Sequence, residues 1–246
     1  MDDLYDLALL NMENAVHSFA SRVQEPVRVT FKDGFNYRYD EKTIHQALVQ
    51  KLARLLSSLN AARLLMEHGF HQEQASLQRI LNEIQEDITF LSFSIIFNNF
   101  TDTHQKYLDA FWKEELSVIM NSEDTKKSTV PRKKIHAYIA NMKGADTNPS
   151  RGVELSRIIT KTYSGYIHAA SPYIMDMYCG NPPYFHVKGM LDTEFHLDHR
   201  EDLWNYFFRS IVAFCFAAKA FGDEDLFNKI NKFQYDFMNN SGRNYY

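Results

Sequence analysis

"IHQALVQKLARLLSSLNAARLLMEHG", residues 44 to 69, decides the fold class. Ile44, Leu48, Leu52, Leu55, Leu59, Ala62 and Met66 recur in steps of four and three, the period of a helix with one apolar face. Gly69 stands where that helix should end, because glycine takes up the left-handed terminal turn without a steric cost. The following segment keeps the period with Leu77, Leu81, Ile84, Ile88, Leu91 and Ile95. Phe90, Phe93 and Phe97 fill its other faces, which predicts a central helix whose second half is buried all round.

Working outward, residues 1 to 24 read as an amphipathic helix, and "VRVTFKDGFNYRY" alternates around Asp33-Gly34 as a β-hairpin does. Thr101 or Asp102 caps a further helix with Leu108, Phe111, Trp112, Leu116 and Ile119 inward. "NSEDTKKSTVPRKK" reads as a linker, and Pro131 opens a short helix carrying Ile135, Tyr138, Ile139 and Met142. After the loop "KGADTNPSRG", a helix runs from about Val153 to Ala170, where Pro172 stops it. "YFHVK" and "TEFHL" around "GMLD" suggest a second hairpin, and two helices close the chain, lined by Leu203, Phe207, Ile211, Phe214 and Ala218 and by Leu226, Ile230, Phe233 and Phe237. The prediction is an all-α bundle of seven or eight helices with two small hairpins, one domain over 1–246. Its parts are an N-terminal helix and hairpin (1–40), a helical core (41–170), and a hairpin with C-terminal helices (171–246).

A formal net charge of −4 gives no global field for nucleic acid or an anionic membrane. No apolar run reaches the ~20 residues of a membrane span, and an acidic N-terminus is unlike a signal peptide, so a cytoplasmic protein without membrane partners is expected. Phosphate-binding, nucleophile-elbow and kinase signatures are missing. His68 with His71, and His196 with His199, have ligand-like spacing, with Asp198 and Glu194 beside the second pair. Neither pair belongs to a metal motif, so no metal or cofactor is expected.

The stretch "KTYSGYIHAA", 161 to 170, holds the candidate chemistry. On a helix, Arg157, Lys161, Ser164 and His168 form one polar stripe beside a seam of Leu155, Ile159, Thr162, Tyr166 and Ala170. Gly165 within it implies close approach by a neighbouring backbone or a ligand. A histidine beside cations stays neutral and available as a base while the cations hold a phosphate; equally, His168 is a structural histidine bonded to Ser164 or Tyr163. Arg79 and Glu83, one turn apart, are either an anion anchor with its positioning partner or a surface pair worth a few tenths of a kcal/mol. Lys126, Lys127, Arg132, Lys133, Lys134 and Arg151 add local basic charge, either solvated or tracking a phosphate backbone.

Two stretches, "AARLLMEHGFHQEQASLQRILNEIQEDITFL" and "LSRIITKTYSGYIHAASPYI", with the later "YFHVKGM", resemble a family of bacterial helical proteins of unknown function. More distantly the chain is similar to the HEPN superfamily, whose ribonucleases carry Arg, a short spacer and His on a helix, paired across a homodimer. Here Lys161 takes the arginine's place, and it lacks the guanidinium fork. The resemblance implies an RNA-binding or metal-independent ribonuclease module in stress or phage defence. His168 would be the base, Lys161 and Arg157 would hold phosphate, and Tyr163, Ser164, Arg79 and Glu83 would shape the pocket. The alternative expectation is a non-catalytic interaction or small-ligand-binding domain in which these residues form a buried polar network.

Overall fold

The computed structural model describes residues 1–31, 34–120, 130–142, 161–191 and 193–241, with the backbone alone at 31 and 114–120. The chain is an all-α bundle with two small antiparallel hairpins. Helix α1 (Asp2–Ala20) precedes strands β1 (Val27–Phe31) and β2 (Gly34–Arg38), paired from Val27↔Arg38 to Phe31↔Gly34. Helices α2 (Ile44–Glu67) and α3 (His71–Ile96) make a helical hairpin, followed by α4 (Asp102–Met120), α5 (Arg132–Met142) and a helical segment α6 at 161–167. A short α7 (Ser171–Ile174) and a 3-10 turn lead into β3 (Tyr178–Cys179) and β4 (Tyr184–Phe185). Helices α8 (Glu194–Ala220) and α9 (Glu224–Asn240) complete the bundle.

Capping follows from the sequence. Thr43 accepts from the Gln46 backbone N–H at 3.2 Å, while Gln46 Oε1 accepts from the Thr43 N–H at 2.8 Å, a reciprocal box that starts α2. At the other end Gly69 has φ +74°, its N–H reaches the Met66 carbonyl, and the Phe70 N–H reaches Leu65, so the glycine closes α2 as expected. The same pair of bonds ends α6 at His168, with Ala169 in the left-handed region at φ +47°.

Helix α3 packs on α2, α5 and α8, and α8 packs on α1, α2, α3 and α9, so α3 and α8 are the axis of the fold. The core joins Leu48, Leu52, Leu55 and Leu59 of α2 to Leu81, Ile88 and Phe90 of α3 and to Trp204, Phe207 and Phe214 of α8. No helix among the described residues is long and apolar enough to cross a membrane.

Three expectations need correction. The second hairpin lies one step upstream: Tyr178 pairs with Phe185 and Cys179 with Tyr184 across the "GNPP" turn, while "TEFHL" opens α8. Alternation in "YFHVK" marked a strand correctly but gave it the wrong partner. Phe97, expected inside, is the C-cap of α3 and is 49% exposed, because the helix has left the core by that turn. Helix α1 ends at Ala20 rather than near residue 24.

Candidate functional site

The inward row of α3 is polar. His71, Gln74, Gln78, Asn82, Gln85 and Glu86 follow one another at helical spacing, and all are buried. Opposite them α8 presents His199, Asp202, Tyr206, Arg209 and Ser210. At the lower half of this seam most side chains are bonded, Gln85 Oε1 and Arg132 Nε being buried atoms without a partner among the described residues. Gln85 Nε2 donates to the Tyr206 carbonyl at 3.0 Å and to Ser210 Oγ at 2.7 Å, and Arg209 donates to Asn82 Oδ1 at 2.7 Å. Asn82 donates to Glu86 at 3.0 Å, His136 Nε2 lies 2.8 Å from the same carboxylate, and Arg132 bridges Glu86 and Asp87. Lys51 completes the set on Asp87 at 2.9 Å.

Burial pushes the Glu86 carboxyl up, but the His136 bond and the Arg132 charge outweigh it and hold it below its ordinary value. Asp87 behaves alike, burial being overcome by Lys51 and Arg132. Arg132 therefore is not the solvated member of a basic run that its sequence neighbours suggest; it pins α5 to α3.

The upper half is different. The Gln74 and Gln78 side chains are fully buried, and neither amide oxygen nor amide nitrogen of either has a partner among the described residues. Native interiors leave few such groups unmatched, and each uncompensated one costs about 1–3 kcal/mol. A continuous chain of rings joins α6, α8 and the start of α3: Tyr206 to Tyr163 at 6.0 Å, Tyr163 to Tyr166 at 6.4 Å, Tyr166 to His199 at 6.1 Å, His199 to His71 at 4.9 Å and His71 to His196 at 5.0 Å. His71 Nε2 and His196 Nδ1 are 3.1 Å apart.

Burial, then the neighbouring His199 and His196, lowers His71 to about 4, and burial likewise lowers His199, so both rings are neutral near pH 7. Tyr163 donates to Asp202 at 3.1 Å. Burial, with Asp198 and Glu201 nearby, raises the Asp202 carboxyl despite that bond. Tyr166 is raised to about 12 by burial and by Asp176 and Asp202, and Tyr206 to about 12 chiefly by burial. The seam thus offers neutral imidazoles, phenol donors, amides able both to donate and to accept, and a carboxyl with increased affinity for its proton.

The sequence-derived candidates divide between two faces of α6. Lys161 and His168 are exposed and Ser164 is half-buried; with Gly165, Ala170 and Tyr173 they line an open groove of about 580 Å³. Tyr163 turns the other way, onto Asp202. Gly165 has its close neighbour, the Tyr173 ring, since a Cβ there would sit 1.9 Å from Tyr173 Cε2. That is helix packing, and the Tyr166 ring also meets Tyr173, their centroids 4.5 Å apart. Arg79 Nε donates to Glu83 Oε1 at 3.2 Å as a half-exposed pair along α3, and neither residue lines the groove. Arg157, with Lys126, Lys127 and Arg151, falls outside the described residues.

Both histidine pairs of the sequence contribute to the ring chain, His71 from one and His196 with His199 from the other. The His71 and His199 planes are 12° from parallel. In-plane lone pairs on stacked rings do not converge on one point, and no group of three or more His, Cys, Asp or Glu among the described residues is arranged to hold a metal ion. Sequence reading passed over Gln74, Gln78 and Asn82. The available signal was a row at spacing three and four made of His, Gln and Asn with no Lys or Arg, unlike the charged face a solvated helix presents. No family model, curated protein or solved structure matches the chain.

Proposed function

We propose that this protein is a non-catalytic binding domain whose α3–α8 seam receives a small neutral heteroaromatic molecule carrying both donors and acceptors, as a nucleobase does. The observation behind this reading is the pair of fully buried amides, Gln74 and Gln78, unmatched among the described residues and flanked by neutral His71 and His199. An amide that donates and accepts at once pairs with a planar molecule doing the same, and Tyr166 and the histidine rings supply faces for it to stack on. The bonded lower half, tied by Arg132, Arg209 and Gln85, keeps the helices in register around it.

Thermal-shift measurements with adenine, guanine, cytosine and uracil test it. At least one base at a hundred times its Kd should stabilise the protein by about 2.7 kcal/mol. The shift should vanish in Gln74→Met and Gln78→Met. Absence of any shift with all four bases, or a shift unaltered by both substitutions, would rule this reading out.

One observation favours a second reading, RNA contact through the groove that brings together Lys161, Ser164 and His168. A lysine and an imidazole on an open surface suit a phosphate. RNA binding that Lys161→Ala weakens would support contact, and cleavage lost in His168→Ala would support the ribonuclease expectation. Cleavage persisting unchanged in His168→Ala would end that expectation.

A further inference from the structure

A second cavity lies between α1, α8 and α9, with a volume of about 330 Å³. Its floor is apolar: Ala8 and Ala15 of α1, Phe214 of α8 and Ile230 of α9 line it, all buried. Ala8 and Ala15 lie two helical turns apart on the same face, and their small side chains leave the space that larger ones would fill. The rim is polar, with Asn11 and Ser18 on one lip and Lys229 on the other. Lys229 is exposed and is the one charged residue in the lining. Asp223, the carboxylate that feels its charge, is already engaged by Arg22 and by the Leu226 N–H at 3.0 Å.

An apolar cavity with a single cation at its mouth selects an amphipathic anion. We propose that this cleft binds a small aliphatic carboxylate of about eight carbons, its tail on the Ala8–Ala15 floor and its carboxylate at Lys229. The size follows from the volume, about 330 Å³, which is at the small end of ligand pockets and suits a short aliphatic acid. A cationic head would face Lys229. The site is independent of the seam, since it uses none of the residues proposed to hold the heteroaromatic ligand.

Titration calorimetry of the full chain with sodium octanoate, 1-octanol and octylamine tests it. Octanoate should saturate one site per chain and bind about fivefold tighter than octanol, the size of one solvent-accessible ion pair, with octylamine weakest. Ala15→Leu should fill the cleft and weaken octanoate more than tenfold while leaving the melting temperature unchanged or higher. Lys229→Met, a surface change that leaves the fold alone, should remove the fivefold preference and spare octanol binding. The proposal is overturned if wild-type protein binds octanoate no better than octanol, or if Lys229→Met leaves the preference intact.

Discussion

The phenol of Tyr163 donates to Oδ2 of Asp202 at 3.1 Å, tying α6 to α8. The carboxyl stays raised despite that bond, because burial and the acidic neighbours Asp198 and Glu201 outweigh it. A carboxyl whose folded pKa exceeds its unfolded value stabilises the fold at low pH and loses that contribution as pH rises through the folded pKa. Ionising Asp202 as pH rises therefore costs the folded state stability. Asp202→Asn keeps an acceptor for Tyr163 and should raise stability by up to about 1 kcal/mol, solvent screening limiting the gain. Chemical denaturation at pH 7 checks this.

Arg132 stands between Glu86 and Asp87, two carboxylates that remain ionised through it. Removing one partner of a buried ion cluster leaves uncompensated charge, so Arg132→Met should cost about 3–5 kcal/mol in urea unfolding. Adding Glu86→Gln and Asp87→Asn should recover most of the loss. Both carboxyls have depressed folded pKa values, so this stability is present above their unfolded values, 4.5 and 3.8, and is lost as pH falls below them.

Above that acid limb, the histidines set the pH dependence. His71, lowered to about 4 from 6.5, stays neutral in the fold while its unfolded counterpart takes up a proton. Stability is fully present above pH 6.5 and falls towards pH 4, by roughly 3 kcal/mol for this residue. His104, stacked on Phe90 and also held near 4 by burial, contributes a second share. His71→Phe should flatten the unfolding free energy between pH 6.5 and 4 by its own share and leave that of His104.

Gly165 carries the Tyr173 ring against its α-carbon. Gly165→Ala should therefore destabilise, although alanine is the better helix former by about 1 kcal/mol. Combined with Tyr173→Ala, which clears the space, the same substitution should turn neutral or stabilising. A double-mutant cycle in thermal unfolding measures the difference.

Helix periodicity made the bundle readable, because Leu48 to Leu59 and Leu203 to Phe214 each carry a one-faced apolar pattern that the core uses as written. Long-range pairing was less readable. Tyr184–Phe185 is a strand as its alternation suggests, yet its partner Tyr178–Cys179 is only two residues long and has no pattern of its own. Spacing put Lys161, Ser164 and His168 on one stripe, and all three line the open groove. It missed the seam, because a row of Gln, Asn and His without Lys or Arg marks an unsolvated face but does not name the helix, α8, that covers it. Arg132 was misread for the same reason: its carboxylate partners are more than forty positions away in the chain.

The central claim is that Gln74 and Gln78 serve a ligand and not the fold. The stability of the Gln74→Met/Gln78→Met double variant, measured without ligand, tests this most directly. Methionine matches glutamine in length and needs no hydrogen bond, so relieving the unmatched amides should raise stability by about 1–3 kcal/mol, or some 2–12 °C in Tm for a chain of this size. A fall of the same magnitude would show the amides to be structural and would contradict the account.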